Sequence, residues 1–362
     1  MKKSWKKASA IFMAAALAAG LAGCGASNNN NTATTAAGKS AAESKVNGEN
    51  SPEADSKKTD VTVILDYVAN TNHTGMFVAK EKGYYEAAGL NVSIVQPPDN
   101  STATQLCSSN KAQFAIDAQD TLAPAFTSDT PMDVTAVAAL LQHNSSGIIS
   151  KAGQGMDRPK GLTGNTYLTW DSPIEKAMIE NIVNKDGGDW SKVKQIPNPP
   201  TAEAQDVQQN PDHAIWVFYG WGGINAKVNK IDVDFFYIKD LNATFDYYTP
   251  VLIANNTFLK ENPQAAKAFL AATAKGYQYA IDHPEEAADI LIKSDDTGSL
   301  NGSEELVKES QKWMAGQYIS DAKKWGYIDP ARWNNFYKWL TDNKLVEKDI
   351  SSNVGFTNDY LA

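Results

Sequence analysis

Two α/β domains, the second inserted into the first and a ligand cleft between them, are what this 362-residue sequence predicts. Three observations carry that expectation. β-branched runs alternate with amphipathic helical stripes from Val61 onward, the alternation restarts after a long apolar strand at 134–141, and everything beyond Val251-Leu252-Ile253 reads as helix. A helical tail of that length needs a sheet to pack on, so the chain is expected to return to its first domain through a second crossing segment. The expected boundaries are 60–145 with 245–362 for the first domain and 146–244 for the second.

The first domain opens on Val61-Thr62-Val63-Ile64-Leu65 as a strand, followed by a helix that carries Met76, Phe77 and Ala79 and stops near Gly83. Val92 and Ile94 alternate as a strand, Ala103, Leu106 and Cys107 share a helical stripe, and Phe114 and Ile116 mark another strand. This βαβα order implies a mainly parallel sheet. The second unit reads as a strand at 166–170, a helix from Ser172, a strand at 193–196 and a short helix near Ala204. A strand at 214–219, a helix through Ile224 and Val228 and a strand at 233–238 complete it. In the tail, Asn262-Pro263 starts a helix with Phe269, Leu270, Thr273, Tyr277 and Ile281 on one stripe. Leu306, Val307, Trp313 and Met314 mark a second tail helix, and Trp333, Phe336, Tyr337 and Leu340 a third.

Ahead of the folded sequence, the basic start Lys2-Lys3-Ser4-Trp5-Lys6-Lys7 precedes an apolar run at 8–22 that is too short to span a bilayer comfortably. It ends in Leu21-Ala22-Gly23-Cys24, a small-small-Cys box that resembles a bacterial lipoprotein signal. Residues 1–23 are expected to be removed and Cys24 to carry lipid as the mature N-terminus. Residues 24–59 hold almost no large apolar side chain and cannot offset their ordering entropy, so a tether is expected there. Its span would be on the order of 30 Å. The body is then a monomer on the extracytoplasmic face of the cell membrane, held by the lipid anchor alone.

A formal net charge of -9 and a pI near 5.1 argue against nucleic acid, which needs a basic face to displace counterions. With Cys24 consumed by lipid, Cys107 has no partner in the chain, and its helical stripe predicts a buried, inert thiol. Enzyme motifs are missing: there is no G-x-x-x-x-G-K loop, no H-E-x-x-H and no C-x-x-C. Gly220-Trp221-Gly222-Gly223 has the wrong spacing for a dinucleotide fingerprint, with a Trp where a pyrophosphate would approach. No catalytic residue, metal or cofactor is therefore expected. A tethered two-domain body of this kind suggests a protein that closes on a ligand by hinge motion.

Polar and aromatic side chains cluster where strands end, the place ligands occupy in open α/β sheets. The loop after the first strand offers Asp66, Tyr67, Asn70, Asn72 and His73; a helix cap by Asn72 or Thr71 explains one of them but not the whole set. Gln119 and Asp120 follow another strand, and Gln142, Asn144 and Ser146 lie where the chain should cross between domains. For Ser146 and Gly147, hinge turn and ligand contact are both open readings. In the second domain Trp170 ends a strand ahead of Asp171, Ser172 and Glu175. Ser172-Pro173 with Glu175 also satisfies a capping box, so Glu175 has a structural reading beside the ligand one. Tyr219 and Trp221 end another strand, Gly220 between them would allow close approach, and Tyr248 lies at the return crossing. None of these clusters contains Arg or Lys, which disfavours sulfonate, nitrate, phosphate or amino-acid carboxylates. A flat, neutral or weakly basic heterocycle fits better.

Six segments, Leu65 to Gly75, Lys82-Gly83-Tyr84-Tyr85, Gln142 to Gly147, Ser172 to Glu175, Phe218 to Trp221 and Asp246 to Pro250, together resemble a known family. It is that of the ABC-transporter solute-binding lipoproteins for thiamine pyrimidine precursors, relatives of the fungal thiamine-pyrimidine synthases. The resemblance runs from about Val61 to the C-terminus. It implies a type II periplasmic-binding-protein fold, ABC permease and ATPase partners, and a hydroxymethyl- or formylaminomethyl-pyrimidine ligand. It also implies that Asn70 and His73 face the cleft and that Glu175 pairs with a pyrimidine nitrogen and its exocyclic amine. The chain departs from the family at Tyr67 and Ala69, where Trp and Pro are usual, and at Thr169-Trp170-Asp171, where Gly-Trp-Gly is usual. Those changes alter the stacking surface and add a carboxylate, which leaves riboflavin, a sulfonate or another solute as alternatives. In the fungal relatives the corresponding His is a reactant, so a synthase is the competing class, although no lysine stands near His73 in its loop to hold a pyridoxal cofactor.

Overall fold

A computed structural model of the chain describes residues 58–98 and 101–362, so the signal segment, Cys24 and nearly all of the tether lie outside the described residues. The order of elements begins β1 (Thr59–Ile64), α1 (Thr74–Glu81), α2 (Tyr84–Ala87), β2 (Leu90–Val95), α3 (Ala103–Ser108), β3 (Phe114–Asp117), α4 (Gln119–Thr127), β4 (Val134–Ala139). It continues β5 (Ser146–Lys151), β6 (Thr166–Thr169), α5 (Pro173–Lys185), β7 (Lys194–Pro197), α6 (Glu203–Gln209), β8 (His213–Phe218), α7 (Ile224–Val228), β9 (Val233–Tyr237), α8 (Ile238–Leu241). After β10 (Val251–Asn255) only helices follow: α9 (Asn256–Glu261), α10 (Pro263–Asp282), α11 (Pro284–Ser294), α12 (Glu304–Met314) and α13 (Pro330–Asp342).

The strands form two five-stranded sheets, ordered β2-β1-β3-β10-β4 and β7-β6-β8-β5-β9. Both are mixed, which corrects the expectation of a mainly parallel sheet. β1 pairs in parallel with β2 and β3, whereas β10 runs antiparallel to β3 and β4; in the second sheet β5 runs antiparallel to β8 and β9. The reason is the crossing itself. β10 and β5 each start where a crossing segment arrives, beside the ends of β1, β3 and β8, and can only run away from that edge. Several elements were not foreseen, among them β5, whose Ser-Gly-Ile-Ile-Ser-Lys holds just two large apolar residues, and α4, which tolerates Pro124 inside it.

The helical tail packs as its stripes require. Phe269 of α10 stacks on Phe114 of β3 at 4.1 Å and on Tyr85 of α2 at 5.2 Å. Trp333, Phe336, Tyr337 and Leu340 of α13 are fully buried, with Phe336 stacked 4.2 Å from Tyr247 of the return crossing. Burying one such aromatic contributes about 2–3 kcal/mol. Cys107 is buried and free, and burial pushes its thiol far above the reactive range. Among the described residues no helix is long and apolar enough to cross a membrane.

Candidate functional site

Where β1 ends, a loop is locked by its own side chains. Asn70 caps the short turn Thr71–His73: its Oδ1 accepts from the Asn72 N–H at 2.9 Å and its Nδ2 donates to the Val68 carbonyl at 2.9 Å. His73 is completely buried. Its Nδ1 accepts the Asn70 N–H at 3.2 Å, which leaves the ring proton on Nε2, and Nε2 donates to Asp66 Oδ1 at 2.8 Å. From the tail, the hydroxyls of Tyr277 and Tyr318 donate to the Asn72 and Thr71 carbonyls, both at 2.6 Å. The C-terminal helices thus hold the loop, and a buried imidazole holds its carboxylate.

A cavity of about 400 Å³ lies between this loop and the strand ends of the second sheet. The loop supplies Asp66, Tyr67, Asn70 and Asn72; β8 and its flanks supply Trp216, Phe218 and Trp221, and Trp170 follows β6. Pro199, Pro200 and Thr201 come from the β7–α6 connection, Glu203 from the start of α6, and Thr249 and Pro250 from the return crossing. Tyr67 and Trp170 are 54% and 49% exposed, unusual for rings of that size and consistent with surfaces a flat ligand would cover. Trp170 lies 5.8 Å from the Trp216 ring and 6.4 Å from Phe218. Trp221 sits in a π-helical turn, Tyr219–Gly223, a wide geometry that recurs at functional sites. No Lys or Arg lines this cavity. A second hollow, about 490 Å³, borders Phe77, Ile94 and Asp295, but the Asp295 carboxylate is already taken by Thr297, Ser299 and the Leu300 N–H.

Of the residues expected at the cleft, Asp66, Tyr67, Asn70, Asn72, Trp170 and Trp221 line the cavity together. His73 stands behind them as the partner of Asp66. Gln119, Gln142, Asn144, Ser146, Tyr219 and Tyr248 do not line it; partners within the fold take up the polar groups of most of them, while the buried Ser146 hydroxyl has none among the described residues. Gln119 donates to the Trp333 carbonyl at 2.8 Å and accepts the Tyr248 N–H at 3.0 Å. Gln142 donates to the Tyr327 carbonyl at 3.0 Å; Asn144 donates to the Phe245 carbonyl and accepts the Ser146 N–H, both at 2.9 Å. Between them His143 bridges Asp246 at 2.7 Å and Asp321 at 3.0 Å, and its hydrogen bond to Asp246 raises the imidazole above its usual pKa. Ser146 is buried, Tyr248 is buried with its hydroxyl accepting the Asp329 N–H at 2.8 Å, and Tyr219 packs 5.2 Å from both Phe235 and Trp313. Gly220 serves α12 instead of a ligand: a Cβ there would meet Met314 Sδ at 2.8 Å and the Trp313 ring.

Asp171 and Ser172 also lie outside the lining; Asp171, at φ 67°, pairs with Lys176. Glu175 is 3% exposed and its carboxylate is saturated from within. Oε1 accepts from the Tyr167 hydroxyl at 2.6 Å and the Trp170 N–H at 3.1 Å; Oε2 accepts from the Thr169 hydroxyl at 2.8 Å and the Ser172 N–H at 3.3 Å. This geometry supports the capping reading. Either orientation of a Gln amide sets its N–H₂ against a backbone N–H, that of Trp170 or that of Ser172, which cannot turn to accept. Glu175→Gln is expected to lose about 1.5–3 kcal/mol in denaturant unfolding. Unchanged stability would free the carboxylate for a ligand.

Sequence reasoning missed Glu203, Trp216 and Pro199 to Thr201. Trp216 sits inside a strand, and the proline loop carries none of the amide-aromatic clustering that marked the other walls.

Comparison with known proteins follows the same outline. The chain is 26% identical over 298 residues to a formylaminopyrimidine-binding protein of Halalkalibacterium halodurans, covering 82% of this chain and 89% of that one. It is 22% identical over 317 residues to a 4-amino-5-hydroxymethyl-2-methylpyrimidine phosphate synthase of Legionella pneumophila, covering 84% and 93%. Among solved structures, the periplasmic aliphatic sulphonate binding protein of Escherichia coli superposes with a TM-score of 0.60 at 14% identity, over 81% of this chain and 90% of that one. The fold is therefore the periplasmic-binding-protein fold, two α/β layers joined by two crossing segments. The family model described as NMT1/THI5 like matches residues 70–287, from the cavity loop to the first turn of α11, and the chain belongs to that family.

Proposed function

We propose that this protein is an extracytoplasmic solute-binding protein that captures a thiamine pyrimidine precursor, or a closely similar aminopyrimidine, for an ABC importer. The observation that carries this reading is the cavity wall: exposed faces of Tyr67 and Trp170 beside Phe218 and Trp221, the Asp66 carboxylate, and no cation. Aromatic faces suit a flat ring, and a carboxylate held by His73 suits an exocyclic amine. The binding role for which the Halalkalibacterium relative is named points the same way. The segments 60–145 with 245–362 and 146–244 would be the two lobes that close on the ligand, in a monomer anchored through lipid on Cys24.

The synthase reading is the weaker one, although synthases are among the relatives. His73 is 0% exposed and both ring nitrogens are engaged, which supports a role in holding Asp66 over one as a reactant.

Calorimetry is expected to show 1:1 binding of 4-aminopyrimidines carrying a short 5-substituent, and no binding of alkanesulfonates, nitrate or amino acids. A tight sulfonate complex would overturn the assignment. For the anchor, Cys24→Ser is expected to abolish labelling of the expressed full-length protein by a radioactive fatty acid; retained labelling would exclude Cys24 as the lipid site.

A further inference from the structure

Glu203, the first residue of α6, lines the same cavity as Asp66. Its situation differs. Asp66 already accepts from His73, whereas Glu203 receives, among the described residues, a hydrogen bond from its own backbone N–H and from no other group, and has no cationic partner. Burial raises its carboxyl above the usual range. A partly desolvated carboxylate without a partner is costly, and proteins ordinarily supply one. In the same wall Trp216 is 3% exposed and its indole N–H has no acceptor among the described residues. That wall therefore holds a carboxylate and an indole N–H whose bonding capacity is unspent among the described residues, in a cavity also lined by the rings of Tyr67, Trp170, Phe218 and Trp221 and by no Lys or Arg.

Resting on the aminopyrimidine reading above, we propose that the cavity selects a ligand whose side arm ends in a protonated primary amine, with Glu203 as its counter-charge and the rings of Trp170 and Phe218 beside it. A neutral formamide on the same arm leaves Glu203 without the cation and presents a carbonyl oxygen to a carboxylate. The preference therefore turns on the charge of the arm and leaves ring recognition to Asp66 and the stacking faces.

The test is calorimetry on the purified protein with two probes, a 4-aminopyrimidine bearing a 5-aminomethyl group and its N-formyl derivative, at a pH where the free amine is protonated. Wild type is expected to bind the free amine at least about ten-fold more tightly than the formamide. Glu203→Gln is expected to lower affinity for the amine by about ten-fold and to leave the formamide within two-fold, which removes the preference. Equal or tighter binding of the formamide by wild type would overturn the charge preference while leaving the aminopyrimidine assignment standing. A Glu203→Gln variant that weakens both probes alike, with an unchanged melting temperature, would also overturn it. Binding of neither probe by wild type would overturn both this inference and the aminopyrimidine reading.

Discussion

Asp66→Ala is expected to weaken binding of a 4-aminopyrimidine by about 3 kcal/mol, roughly two powers of ten, with the fold intact. Asp66 follows β1 and lines the cavity, and its Oδ1 is fixed by a 2.8 Å hydrogen bond from His73 Nε2. That bond engages one oxygen and leaves the other, in a side chain 32% exposed, to accept from an amine enclosed by aromatic rings. Charge-assisted hydrogen bonds in such surroundings are about twice as strong as neutral ones. The fold should tolerate the change because Asp66 is partly exposed, whereas the Nε2–H of fully buried His73 loses its acceptor and costs about 1–2 kcal/mol of stability. Wild-type affinity in the variant, measured by calorimetry, would remove Asp66 from the binding chemistry.

Gly276→Ala is expected to be the most damaging small substitution in the body, at about 3–5 kcal/mol of unfolding free energy. Gly276 lies in the middle of α10 where that helix meets α1, and a Cβ built on it would clash with the backbone carbonyl of Gly75 and approach Ala79 N and Cβ at 2.9 Å. Backbone cannot rotate aside as a flexible side chain can, so the helices must separate. Separation would pull Tyr277 off Gly75 and break its hydroxyl's bond to the Asn72 carbonyl, which also loosens the cavity loop. Denaturant unfolding should show the loss of stability, and ligand affinity should fall with it. A variant within 1 kcal/mol of wild type would mean that the helix contact relaxes far more readily than close packing allows.

Much of the architecture could be read from local pattern. β-branched runs at Val61 and Val251, the Asn262-Pro263 helix start and the aromatic stripes of Phe269 and Trp333 each report a burial preference within a few residues of themselves. Strand direction could not, because β5 and β10 owe theirs to the crossings that deliver them. The same division runs through the site. The loop Asp66 to His73 was legible because four hydrogen-bonding side chains and an aromatic crowd into one strand-to-helix connection.

What the sequence by itself determined, then, is most of the strands and the long tail helices, the loop that carries Asp66, and the placing of Tyr67, Trp170 and Trp221 beyond strand ends. Only the tertiary structure decided which polar groups remain available. Gln119, Gln142, Asn144 and Glu175 have the chemistry of ligand contacts, but their partners are Trp333, Tyr327, Phe245 and Tyr167, brought to them by folding. Glu203 has the same chemistry without a side-chain partner among the described residues, where Trp216 also keeps an unpaired donor inside the wall. The physical reason is that a side chain's type sets what it can bond, whereas whether that capacity is already spent depends on groups distant in sequence.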